Sequence, residues 1–108
     1  LKKEILNSNF YTYYTRGGNM VRKHFIFKGR VQGVGFRITF YQQATRLHLT
    51  GWVKNLSNGD VEACLQGELS LIQQVIDYMH SIRYIRIEQC EVEDLAVLEN
   101  EKSFEMKY

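Results

Sequence analysis

The nine residues Gly29-Arg30-Val31-Gln32-Gly33-Val34-Gly35-Phe36-Arg37 concentrate groups that handle anions. Glycine lets the backbone take positive φ and approach a ligand closely. Successive N–H groups in such a turn converge on a concavity that binds anions. A helix beginning at Phe36 would add its unpaired N–H groups and the positive end of its dipole. Arg37, in the first helical turn, brings a guanidinium that forks onto phosphate oxygens. The stretch therefore predicts phosphate chemistry, with Gln32, Gly33, Val34, Gly35, Phe36 and Arg37 as the binding loop. Gly29, Gly33 and Gly35 are read as serving that loop in preference to an ordinary tight turn. Other phosphate motifs do not fit. A Walker loop ends in Gly-Lys-Ser/Thr, where this chain has Gly35-Phe36-Arg37, and the spacing G-x-G-x-x-G is absent.

A second cluster follows at Gly51-Trp52-Val53-Lys54-Asn55, with Asn58-Gly59 and Val61-Glu62 behind it. Together the two clusters resemble the signatures of the acylphosphatases, small hydrolases that cleave carboxyl-phosphate anhydrides. The first signature of that family reads G-R-V-Q-G-V-x-F-R, and residues 29–37 match every specified position. The second reads G-W-V-x-N, a tight turn, then x-V-E, and residues 51–62 carry it. Asn58 stands where the family commonly has Asp, and the chain contains no proline where relatives often have one before the last strands. The resemblance covers about residues 20–108. It implies hydrolysis of an acyl phosphate and water to a carboxylate and orthophosphate, without metal or cofactor.

The residues suit that chemistry. A carboxylate leaving group is weakly basic and departs without a general acid, so the barrier is phosphoryl charge and positioning of the water. Arg37 and the N–H groups of Gln32 to Arg37 would hold the phosphoryl oxygens as a preorganised electrostatic site. Asn55, expected on the strand next to the first one, would accept from a water and donate to a phosphoryl oxygen. Arg37 and Asn55 are thus the candidate catalytic residues. The two clusters place no Asp, Glu or His to take the water's proton, and the resemblance implies that the bound phosphate takes it. Arg30 is read either as a binding aid or as a solvated strand-end charge. Gln32 is expected to supply backbone, Trp52 to pack, Lys54 to lie on the surface, and His24 to be an edge-exposed strand residue.

The 108 residues suit one compact domain. No apolar run is long enough to span a bilayer, and no secretory signal opens the chain. Cys64 and Cys90 have no metal-ligand spacing, and His24, His48 and His80 are scattered. Free thiols in a reducing cytoplasm are expected, with a small-molecule substrate, no nucleic acid or membrane partner, and a monomeric state. Between Ile5 and Gly59 there is no Asp or Glu, while Arg16, Arg22, Lys23, Lys28, Arg30, Arg37, Arg46 and Lys54 fall there. That half predicts an electropositive face that attracts small anions.

Periodicity supplies the elements that must position these residues. A first strand is expected from Arg22 to Arg30, with Phe25 and Phe27 on one face. A helix follows from Phe36 to His48, its apolar stripe Phe36, Phe40, Ala44 and Leu47. Strands Gly51 to Leu56 and Asp60 to Gln66 flank Asn58-Gly59, a hairpin signal. A second helix spans Glu68 to Ile82 and a fourth strand Tyr84 to Val97. The apolar parity of that strand changes between Ile85/Ile87 and Cys90/Val92, which predicts a bulge near Glu88-Gln89. Phe104, Met106 and Tyr108 alternate in a last short strand. The order β-α-β-β-α-β predicts a ferredoxin-like α+β two-layer sandwich, with two helices on one face of a mainly antiparallel sheet. The resemblance implies strand order 4-1-3-2, with the final strand beside strand 2. Cys64 and Cys90 would then be at least about 9 Å apart, beyond the ~7 Å a disulfide spans.

Residues 1–19 are read as an extension outside the fold, and 20–108 as the domain. Arg16-Gly17-Gly18 admits a purine-rich, ribosome-binding codon run just before Met20, which suggests a translated leader. The competing reading is an extension whose Phe10, Tyr11, Tyr13 and Tyr14 pack on the domain. For function, the alternative is a nucleic-acid-binding module of ferredoxin-like fold. It would need aromatics on the third strand for base stacking, and Asp60 to Gln66 has none. A further alternative is a regulatory domain with a vestigial site, fused to a larger protein. The sequence ends after the last strand, so a stand-alone enzyme is expected.

Overall fold

The computed structural model describes residues 3–5, as backbone, and 19–108. Eight elements run in the order β1 (Lys3–Ile5), β2 (Met20–Arg30), α1 (Phe36–Arg46), β3 (Thr50–Asn55), β4 (Val61–Glu68), α2 (Leu69–Ser81), β5 (Arg86–Leu95) and β6 (Phe104–Lys107). They build one sheet of order β1-β5-β2-β4-β3-β6. Every pairing is antiparallel except β3 with β6, which is parallel. From β2 onward this is the ferredoxin-like plan, with the extra last strand beside β3. Among the described residues no helix is long and apolar enough to cross a membrane. Residues 1–19 are read as lying outside the fold, but Lys3–Ile5 pair with Glu91 to Glu93 of β5 as an edge strand of the sheet. The leader reading and the packing of Phe10, Tyr11, Tyr13 and Tyr14 fall outside the described residues.

Alternation along the strands sends one set of side chains to the helices. Phe25 and Phe27 of β2, Val53 of β3, and Val61, Ala63 and Leu65 of β4 are fully buried there. They meet Phe36, Phe40 and Ala44 of α1 and Ile72, Val75, Ile76 and Met79 of α2 in one cluster. Phe27 lies 5.0 Å from Phe36 and 5.7 Å from Phe40 between ring centroids. Such aromatic pairs contribute about 0.5–1.5 kcal/mol each beyond their buried area. The first helix is thereby clamped over β2, and its N-terminus cannot drift from the strand that precedes it. It ends two residues earlier than its periodicity suggests, because His48 takes φ 59 and closes the last turn in the left-handed conformation.

The parity change in β5 is a bulge. Lys28 pairs with Gln89 but Gly29 pairs with Ile87, so Glu88 is the additional residue. Gly29 belongs to this irregularity rather than to the loop beyond it. Its φ is 130°, and an added Cβ would sit 2.3 Å from the Arg86 carbonyl oxygen and 2.8 Å from the Glu88 nitrogen. Gly29→Ala should therefore destabilise the fold by roughly 2–4 kcal/mol, from backbone strain and overpacking together. Urea unfolding checks this: the midpoint should fall with an unchanged slope, and an unaltered midpoint would mean that the bulge yields freely.

The cysteines project to opposite faces. Cys90 joins the helix-side core, while Cys64 lies beyond β4 on the other face, and both are free thiols. Burial pushes Cys64 up to about 11 and Cys90 to about 12, so neither forms thiolate at neutral pH.

Candidate active site

Of the residues read as a phosphate loop, Gln32 to Gly35 lie between β2 and α1, and Phe36 and Arg37 open α1. Gly33 and Gly35 hold φ of 73° and 75°, and Gly35 is also the N-cap of α1, with no side-chain cap bond. Two left-handed residues in three fold the chain around its own N–H groups. The first turn of α1 adds further N–H groups that have no partner within the helix. A cleft of about 230 Å³ opens against this turn. Gln32, Gly33, Gly35, Phe36 and Arg37 line one side of it, and Asn55 contributes from the end of β3. Val34 does not line the cleft; its side chain packs against the core. The Phe36 ring is also core, so only its backbone serves the loop.

Arg37 is half-buried and held from outside its own element. One guanidinium nitrogen donates to the Lys107 main-chain oxygen at 2.9 Å. The guanidinium carbon lies 4.9 Å from the Tyr108 ring centroid, a cation–π contact of about 0.5–1 kcal/mol at an exposed site. Those contacts use one N–H and one face, and leave the remaining donors for a ligand. Sequence reasoning missed this support. Phe104-x-Met106-x-Tyr108 reads only as alternation, and the contact with Arg37 spans 70 residues. Tyr108 itself lies beyond β6, and is 89% exposed.

Asn55 corrects a second expectation. Its strand is not beside β2, because β4 runs between them. The hairpin of β3 and β4 brings it back to the loop. Gln32, expected to offer backbone alone, makes that junction with its side chain. Its amide nitrogen donates to the carbonyls of Leu56 at 2.7 Å and Asp60 at 2.8 Å, the two ends of the hairpin turn. The same turn is closed by Asn58, whose side-chain oxygen accepts from the Asp60 N–H at 2.9 Å. Asn55 Oδ1 is buried and has no hydrogen-bond partner among the described residues. A buried acceptor left unsatisfied costs about 1–3 kcal/mol. The fold retains this one in a residue that lines the cleft.

The charge pattern is narrower than the sequence suggests. Arg22 meets Glu101 at 2.7 Å, Lys28 meets Asp60 at 2.8 Å, and Lys23 is paired with Asp94. The Asp60 carboxylate raises the pKa of Lys28. Acids from the second half of the chain thus neutralise much of the basic first half across the strands. Among the described residues, Arg37 is the cation lining the cleft. Arg30 is exposed opposite Arg86 and does not line it. Lys54 is exposed, as expected. His24 is not at an edge: it sits on central β2, half-buried, 2.7 Å from Glu62 and edge-on to Trp52. Trp52 packs, with Lys107 4.6 Å from its ring centroid.

Among the described residues no carboxylate, imidazole or thiol lines the cleft. Among the described residues no three His, Cys, Asp or Glu gather where they could hold a metal ion. The outward residues of β4 are Glu62, Cys64 and Gln66, which offer no ring for a base and one like charge for a phosphate. What the cleft can do is hold a phosphoryl group by backbone and guanidinium, and orient one polar molecule at Asn55.

Comparison with known proteins gives the same answer from outside. The acylphosphatase family model matches residues 23–106. The chain belongs to the acylphosphatase family. It is 41% identical over 93 residues to an acylphosphatase of Clostridium beijerinckii, covering 82% of this chain and all of that protein. Its fold superposes on the crystal structure of an acylphosphatase from Bacillus subtilis with TM-score 0.75 and 30% identity, covering 82% of this chain and 99% of that one. An acylphosphatase structure from Coxiella burnetii matches with TM-score 0.74 and 33% identity, over 82% of this chain and 94% of the other. The acylphosphatase match spans both the loop and Asn55.

Proposed function

We propose that this acylphosphatase-family protein hydrolyses acyl phosphates without a metal, using Arg37, Asn55 and the backbone of Gln32 to Phe36. The carrying observation is the buried, unpartnered Asn55 Oδ1 in the same cleft as the left-handed glycine loop. The loop amides and Arg37 hold the phosphoryl oxygens. Asn55 Oδ1 accepts from a water and aims its oxygen at phosphorus. The water oxygen bonds to phosphorus as the bond from phosphorus to the acyl oxygen breaks, and the electron pair leaves with the carboxylate. The water's proton passes to a phosphoryl oxygen, because among the described residues no side-chain base lines the cleft. Products are a carboxylate and orthophosphate. Charge stabilisation by fixed donors supplies most of the acceleration.

We also propose that residues 20–108 form the catalytic domain and that the protein acts as a cytoplasmic monomer. The span of the family match and the two buried free thiols support this reading.

The test is hydrolysis of benzoyl phosphate by the purified protein. Turnover should persist after exhaustive EDTA treatment, and orthophosphate and sulfate should compete with substrate. Phosphate monoesters should be poor substrates, since an alkoxide needs an acid that the cleft does not offer. A large loss in EDTA restored by one divalent ion would refute the metal-free reading. Inhibition by orthophosphate that substrate cannot relieve would place the anion site elsewhere.

A further inference from the structure

The cleft has a second wall whose chemistry the phosphoryl group does not use. Beside the loop and Asn55 it is lined by Ile38, Met106 and Tyr108. Ile38 is 43% exposed and Tyr108 is 89% exposed, two of the six large apolar side chains the described surface exposes. Single exposed apolar residues are ordinary. Here two of them share one concavity with an anion cradle, and Met106, half-buried on β6, stands with them. Ile38 also occupies a helix position next to Arg37 where a long polar side chain would have the better propensity.

A mixed anhydride has two halves. Once its phosphoryl group lies against the loop, the acyl group has to occupy the rest of the same cleft. At about 230 Å³ the space is below the roughly 300–1,000 Å³ of pockets that enclose drug-sized ligands. It fits a phosphoryl group and one short acyl group. One face of the Tyr108 ring is covered by Arg37, which ties the acyl wall to the phosphate arginine.

We infer that Ile38, Met106 and Tyr108 form an acyl subsite that selects apolar acyl groups, aromatic or branched, over acetyl and over charged acyl groups. This rests on the hydrolytic reading of the cleft. The selectivity is modest because the wall is open on one side. Partial burial of a phenyl group on such a wall favours it over a methyl group by about tenfold.

Two parallel measurements test the subsite. In the first, kcat/KM is compared for benzoyl phosphate and acetyl phosphate. Wild type should prefer benzoyl phosphate about tenfold, and Ile38→Ser should narrow that ratio at least about threefold. In the second, calorimetry compares phenylphosphonate with methylphosphonate, which are not cleaved. The phenyl compound should bind more tightly, and Ile38→Ser and Met106→Ser should each narrow the difference. Ile38 is exposed, so its variant keeps the test valid even if Met106→Ser unfolds. Equal wild-type preference in both assays, or a ratio that Ile38→Ser leaves unmoved, overturns the subsite. If neither acyl phosphate is hydrolysed while phenylphosphonate still binds more tightly and Ile38→Ser narrows the gap, the hydrolytic reading fails and the apolar subsite stands.

Discussion

Replacing Arg37 with glutamine is expected to lower kcat/KM for benzoyl phosphate by at least a hundred- to a thousandfold. Removing one preorganised neutral donor costs about 3–4 kcal/mol, and Arg37 is the cation lining the cleft. Orthophosphate affinity should fall with turnover, because in the proposed mechanism the same guanidinium holds both substrate and product. Arg37→Lys should recover little. An ammonium is a point charge that cannot fork onto two oxygens, and it would lose the stacking that places the guanidinium 4.9 Å from the Tyr108 ring centroid. Stability should barely change, since the bond to the Lys107 carbonyl lies at an exposed position. Steady-state rates beside phosphate calorimetry decide this. A loss below tenfold would remove Arg37 from the reaction.

Asn55→Ala should separate what Arg37→Gln couples. If Asn55 aims the water, turnover falls roughly a hundredfold or more, the usual result of losing near-attack geometry. Orthophosphate affinity stays within about threefold, because the guanidinium and loop amides hold the phosphate oxygens. The structure adds an expectation about stability. Asn55 Oδ1 is a buried acceptor without a partner among the described residues, so deleting it removes a desolvation penalty rather than a bond. The variant should be at least as stable as wild type while nearly inactive. Loss of phosphate binding with retained turnover would reverse the two roles, and a drop in stability of several kcal/mol would recast Asn55 as structural.

What could be read from the sequence was whatever depends on near neighbours. The loop is legible because glycine conformations and a helix N-terminus act locally. The stripe Phe36, Phe40 and Ala44 is legible from its spacing, and the bulge at Glu88 from the parity change between Ile85/Ile87 and Cys90/Val92. Arg37 and Asn55 do line one cleft. What escaped depends on which strands meet. Asn55 was set beside β2 although the strand order implied by the resemblance already put β4 between them, because no local pattern carries that interposition. The Gln32 amide looked dispensable because its acceptors lie 24 and 28 residues on. Tyr108 looked like one more alternating residue because its partner, Arg37, lies far back in the chain on α1. The basic half looked like an electropositive face because strand pairing with the acidic half cannot be seen in charge counts.

The central placement of β2 also governs when the cleft can exist. Its two ladder partners lie far along the chain, with His24 opposite Cys64 on one side and Glu93 on the other. Closing both ladders requires large loops, and chains dominated by such pairings fold slowly, over milliseconds to seconds. The loop follows β2, Asn55 ends a strand beyond β4, and the carbonyl that steadies Arg37 belongs to β6. Only an assembly that includes β2, β4, β3 and β6 brings all three together, so competence for phosphate waits on the event that joins those four strands. The chain has no proline, so slow peptide-bond isomerisation, which takes tens of seconds elsewhere, adds no lag to that event. A molecule in which β6 has not yet joined β3 consequently lacks the carbonyl that steadies Arg37.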